Sequence, residues 1–124
     1  MSHRILIIDD EDDIRAVAAL SLETVAGWEV AVASSGAQGV ARAERFQPEA
    51  ILLDVMMPGM DGLATVEALR KNPQTAPIPV VLLTAKTQSS EQQQLAVIGV
   101  NGVLMKPFDP LTLAGQIATI LGWS

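Results

Sequence analysis

Short apolar runs recur five times along this chain, at Ile5 to Ile8, Glu29 to Ala33, Ala50 to Leu53, Pro79 to Leu83 and Val103 to Met105, with segments of helical spacing between them. The runs are too apolar for a sheet with one face in water, so each strand has to be covered on both sides. A repeated strand-helix unit meets that requirement with a parallel sheet between two layers of helices, wound right-handedly. The pattern predicts five strands and five helices in an α/β domain.

Helix punctuation agrees with that alternation. The first helix is expected from about Asp12 or Asp13 to Gly27, with Ile14, Val17, Ala18, Leu22 and Val25 on one face. Ser35 and Gln38 form a capping-box pair for the second, which stops before Pro48 because a residue ahead of proline disfavours helical backbone. The third is predicted over Leu63 to Lys71, capped by Asp61 and ended by Asn72-Pro73. Ser89 or Ser90 caps a fourth that stops at Gly99, and Asp109 caps a fifth from Pro110 to Leu121.

Composition narrows the function. A length of 124 residues suits a single domain, with a core over about 4–122 and no output domain. No apolar stretch approaches the roughly 18 residues of a spanning helix, and Met1-Ser2-His3-Arg4 is not a signal peptide, so a cytoplasmic chain without a membrane partner is expected. A formal charge of -6 argues against direct nucleic-acid binding, which leaves a basic footprint. The absence of cysteine excludes disulfides and thiolate metal sites.

Within that frame the run from Ile51 to Gly62, ILLDVMMPGMDG, carries an anomaly. Its strand hands the last position to a lone carboxylate, Asp54, before Pro58, Gly59 and Gly62 turn the chain. A buried carboxylate costs several kcal/mol unless it is paired, metal-bound or at the strand's open end. In open parallel sheets, sites form beyond the carboxyl ends of the strands. Asp9 and Asp10 follow the first strand, Asp54 the third, Thr84 the fourth and Lys106 the fifth, so polar groups from four strands converge on one edge. Three acids together repel unless a divalent cation relieves them, and an oxygen-only ligand set suits Mg²⁺, or Mn²⁺. Asp12 and Asp13 are assigned instead to helix capping and the helix dipole. The single histidine, His3, is expected to be solvent-exposed and inert.

Ile8-Asp9-Asp10, Leu53-Asp54-Val55 with Met56-Met57-Pro58-Gly59-Met60-Asp61-Gly62, Leu83-Thr84-Ala85 and Lys106-Pro107-Phe108 together resemble the receiver domains of two-component response regulators, of the chemotaxis-regulator type. The resemblance runs from Ile5 to about Leu121. It implies a flavodoxin-like (βα)5 sandwich with strand order 2-1-3-4-5 and phosphoryl transfer from a histidine kinase, or a phosphotransfer protein, to Asp54. Asp10 and Asp54 would ligate Mg²⁺ directly and Asp9 directly or through water, while the resemblance adds the Met56 carbonyl. Lys106 would pair with Asp54 before transfer and with a phosphoryl oxygen afterwards, and Thr84 would donate its hydroxyl to another. The resemblance also suggests a cis bond before Pro107, an isomer the sequence leaves open.

The chain departs from the best-known receivers in two respects. Val103 stands three residues before Lys106, where an aromatic often swings inward on activation, and the chain has no tyrosine. Met56 and Lys86, two residues beyond Asp54 and Thr84, flank the expected path of hydrolytic water, and neither positions it well, which implies a long-lived acyl phosphate. From Gln92 to Ser124 the only charges are Lys106 and Asp109, so the last helix is uncharged. That points to a face for a downstream protein or a homodimer on the fourth helix, fifth strand and fifth helix. Alternatives are a receiver cut from a hybrid kinase or larger regulator, and a small aspartyl-phosphate phosphatase. The phosphatase is disfavoured because Met56 stands where a second acid is needed. A flavodoxin-like cofactor binder is disfavoured because the acidic run Asp9 to Asp13 repels phosphate.

Overall fold

The β-strands are β1 Arg4–Ile8, β2 Glu29–Ala33, β3 Ala50–Asp54, β4 Val80–Thr84 and β5 Gly102–Met105. The helices are α1 Asp12–Val25, α2 Gly36–Phe46, α3 Gly62–Lys71 and, at the C-terminal end, α4 Leu113–Leu121. This computed structural model describes residues 3–55, 62–84 and 100–123. The helix expected between Ser89 or Ser90 and Gly99, the Asp61 cap, Met56 and Lys86 all lie outside the described residues.

All strand pairs are parallel, in the order β2-β1-β3-β4-β5, and the order reverses between β1 and β3. Alternate side chains of the central strands enter two cores. Leu6, Ile8, Leu53 and Leu82 pack towards α2 and α3 with Ala43, Val66 and Leu69. Ile5, Ile7, Leu52 and Leu83 pack towards α1 and α4 with Ala18, Leu22, Leu113 and Ile117. Each such fully buried side chain contributes about 1.5–3 kcal/mol. The fold class and strand order are those expected. No helix among the described residues is long and apolar enough to cross a membrane.

Ser35 caps α2, its hydroxyl accepting from the Gln38 amide at 3.1 Å. The reciprocal arm goes one residue further back, where the Ser34 amide donates to Gln38 Oε1 at 2.6 Å. Gly39 lets α2 lie flat on the sheet, because a Cβ there would fall 2.4 Å from Ile8 Cδ1.

Three expectations are corrected. On α1 the buried residues are Ala18, Ser21 and Leu22, while Val17 and Val25 are 43% and 51% exposed. The helix is rotated because Ser21 faces inward and its hydroxyl donates to the Pro110 carbonyl. The last helix begins at Leu113, not Pro110. Asp109 holds a turn there instead, its carboxylate accepting from the Leu111 amide at 2.9 Å and its carbonyl from the Leu113 amide at 3.0 Å. His3 is packed rather than solvent-exposed. It stacks on Trp123 with ring centroids 3.9 Å apart, meets Trp28 edge-on at 5.6 Å, and places Nδ1 3.3 Å from Glu49 Oε2. The residue preceding β1 sits where β3 starts and the chain end returns, so a terminal position in sequence is a packed one in space.

Candidate functional site

Every strand that contributes a polar group does so at its carboxyl end. Asp54 closes β3 and Thr84 closes β4, while Asp9 follows β1 directly, its amide donating to the Ala33 carbonyl of β2 at 3.1 Å. Asp9, Asp54 and Thr84 are 0%, 1% and 3% exposed, which is deep for two carboxylates. Lys106 follows β5, its amide donating to the Thr84 carbonyl at 2.8 Å, and the Lys106-Pro107 bond is cis.

The ammonium of Lys106 bridges the two buried acids. Its Nζ lies 3.1 Å from Asp9 Oδ2 and 3.3 Å from Asp54 Oδ2, with Glu11 Oε1 at 4.0 Å. Burial opposes the charge on Lys106, but the pairings with Asp9 and Asp54 outweigh it and raise the lysine pKa. Burial pushes the Asp9 carboxyl above its ordinary range and the nearby Asp54 charge adds to this, while the Glu11 amide and Lys106 oppose it.

Asp9, Asp10 and Asp54 each offer one oxygen, and the three oxygens lie within 4.8 Å of one another. Asp10 Oδ1 is shielded from water and has no hydrogen-bond donor among the described residues. Three carboxylates against one ammonium leave two negative charges, which a divalent cation would cancel. An all-oxygen set with a shielded, unsatisfied atom fits Mg²⁺.

Arg15, which sequence reasoning overlooked, and Gly62, expected only as a turn residue, hold this arrangement. Arg15 donates to the Asp9 carbonyl at 2.7 Å and pairs with Asp12, pinning the loop between β1 and α1 to the first turn of α1. Its signal was the Asp12 to Arg15 spacing, which puts both on one helix face. Gly62 opens α3 against the residue after Asp54, where an added Cβ would stand 2.5 Å from Val55 Cα. Val103 packs half-buried against the α2 and α3 core.

In a doubly wound α/β domain ligands bind at the topological switch point, and here that edge is acidic and fits a divalent cation. The chain belongs to the response regulator receiver domain family, whose model matches residues 5–118. It is 39% identical over 95% of its length to the DNA-binding dual master transcriptional regulator RpaA of Synechocystis, and 40% identical over 97% to response regulator PleD of Caulobacter vibrioides. It spans 48% of the first and 26% of the second. Among solved structures it matches chemotaxis protein CheY4 of Vibrio cholerae, with a TM-score of 0.90 and 32% identity, covering 97% of this chain and 99% of that one. It also matches the receiver domain of sensor histidine kinase PA1611 of Pseudomonas aeruginosa, which holds a magnesium ion in its active-site cleft, with a TM-score of 0.85 and 27% identity over 98% of this chain and 99% of that one. The chain is a two-component receiver domain, a class that works with histidine kinases and downstream effectors.

Proposed function

We propose that Asp54 accepts a phosphoryl group from a phosphohistidine of a histidine kinase or phosphotransfer protein. The observation that carries this is a carboxylate, 1% exposed at the end of β3, facing Lys106 Nζ at 3.3 Å beside two further acids. An Asp54 oxygen attacks phosphorus in line as the phosphorus-nitrogen bond of the donor's ring-protonated phosphohistidine breaks, the bonding pair staying on nitrogen, to give an acyl phosphate and neutral imidazole. Asp9, Asp10 and Asp54 would hold Mg²⁺, with Mn²⁺ as a substitute. Bound there, the ion would neutralise charge on the transferring group. Lys106 moves from the Asp54 carboxylate to a phosphoryl oxygen, and Thr84, at the adjacent strand end, donates its hydroxyl to another. The domain acts in the cytoplasm as an acceptor, not a multiple-turnover catalyst.

Incubation with Mg²⁺ and acetyl phosphate is expected to label the wild type stoichiometrically and to leave Asp54→Asn unlabelled. Equal labelling of the two would overturn the assignment, and labelling that survives chelation would overturn the metal. In the same experiment the label should persist for many minutes, because Met56 and Lys86 offer no group to orient water. Loss within seconds would contradict this.

Output is placed on the face of β5 and α4. Met105 at the end of β5 and Leu111 in the turn before α4 are 52% and 76% exposed, and α4 carries no charge. A downstream protein or a second copy would cover them. Sedimentation that is unchanged by a tenfold dilution, with and without beryllofluoride, would exclude the second copy.

A further inference from the structure

At the opposite end of the sheet from Asp54, Arg4 at the start of β1, Ala31 in β2, and Arg42, Arg45 and Phe46 on α2 line a hollow of about 380 Å³. The small Ala31 leaves it open, and its volume falls within the range of sites for small organic ligands. Arg4 lies over the Phe46 ring at 4.3 Å and pairs with Glu29 at 3.4 Å, so its guanidinium is held in place.

Arg42 and Arg45 are different. They stand three residues apart on one face of α2, both exposed, and neither has a carboxylate partner among the described residues. The neighbouring acids are turned elsewhere. Glu44 accepts from Asn72 Nδ2 at 3.3 Å, and Glu49 accepts from the Arg4 amide at 2.7 Å while facing His3. The other described arginines are spent inside the domain, Arg15 on Asp9 and Asp12, and Arg70 on the Ala76 and Ile78 carbonyls at 3.0 and 2.8 Å. Like charges at helical spacing repel. In a chain of net charge -6, Arg42 and Arg45 leave two uncompensated guanidiniums beside a hollow whose third, Arg4, is paired with Glu29. The α2 dipole favours Arg45 in its last turn but does not explain Arg42 one turn back.

We infer that this hollow binds a small anion bearing adjacent phosphate groups, which Arg42 and Arg45 grip with their planar forks over the floor of Ala31 and Phe46. Guanidinium geometry matches phosphate oxygens two at a time. The site is separate from Asp54: Arg4 opens β1 and Asp9 follows the strand, so the two lie roughly 16 Å apart.

The test uses inorganic pyrophosphate in chelator, where the acidic edge repels it, followed by ¹⁵N nuclear magnetic resonance of the full chain. Saturable shifts are expected at the Ala31, Arg42, Arg45 and Phe46 amides and not at Asp9 or Lys106. The Arg42→Gln/Arg45→Gln double variant should bind at least tenfold more weakly, while Lys71→Gln should bind as the wild type does. An Arg42→Lys/Arg45→Lys variant keeps the charge without the fork, and it too should bind severalfold more weakly. Shifts that do not saturate, affinity unchanged in the glutamine double variant, an equal loss in Lys71→Gln, or full affinity in the lysine variant would each overturn the assignment.

Discussion

Lys106→Met is expected to destabilise the metal-free domain by about 3 kcal/mol, the lower end of what breaking a buried ion pair costs, because 14% of the lysine side chain keeps contact with solvent. Removing the ammonium takes the shared counter-charge from Asp9 and Asp54, which are 0% and 1% exposed. The sign of the pH dependence follows from the raised pKa of Asp9. A carboxyl that holds its proton more tightly when folded penalises folding above its folded pKa, and the penalty disappears below its unfolded value near 3.8. The variant should therefore regain stability relative to wild type as the pH falls through that window. Added Mg²⁺ should also restore part of the loss, by about 2.7 kcal/mol at a hundredfold excess over its dissociation constant. Urea unfolding of both proteins across that pH window, with and without Mg²⁺, measures all three effects. A metal-free loss under about 0.5 kcal/mol, the usual size for a surface change, would show that Lys106 is not the counter-charge of this site.

Trp28→Ala should cost about 3–5 kcal/mol, the range for deleting a large buried aromatic. The ring is 8% exposed, belongs to the core shared by α1 and α4, and touches both His3 and Trp123 edge-on. Its loss removes the surface against which the start of β1 and the end of α4 meet. Thermal unfolding should reveal a drop several times larger than that of Leu111→Ala, whose side chain is 76% exposed. Comparable drops would mean that the aromatic cluster does not hold the chain ends.

The sheet was legible because its strands carry apolar residues on both faces, a pattern that few other arrangements tolerate. Asp54, Asp9, Asp10, Thr84 and Lys106 were legible for a related reason: polar residues ending apolar runs fall at one edge of a parallel sheet, whatever the strand order. What escaped was set by contacts between elements far apart in sequence. The rotation of α1 depends on a hydroxyl at Ser21 meeting a carbonyl at Pro110, and no periodicity within α1 contains that information. His3 was misjudged because a position near a terminus says nothing of the tryptophans that fold over it. The arginine hollow draws its residues from β1, β2 and α2, so the three-residue spacing of Arg42 and Arg45 was the only part of it visible along the chain. The late start of α4 came from Asp109, which can cap a helix or close a turn with the same carboxylate.

The placement of the tryptophans has an optical consequence. The chain has two, Trp28 and Trp123, and no tyrosine, and the two rings touch each other at 5.2 Å beneath the amino ends of the strands. Ultraviolet emission from this protein therefore comes from one spot, at the far end of the sheet from the carboxylates. A cation or phosphoryl group arriving at Asp54 changes charge too far away to quench it directly. Emission will follow the docking of the chain ends and little else, so occupancy of the acidic edge needs a reporter placed there.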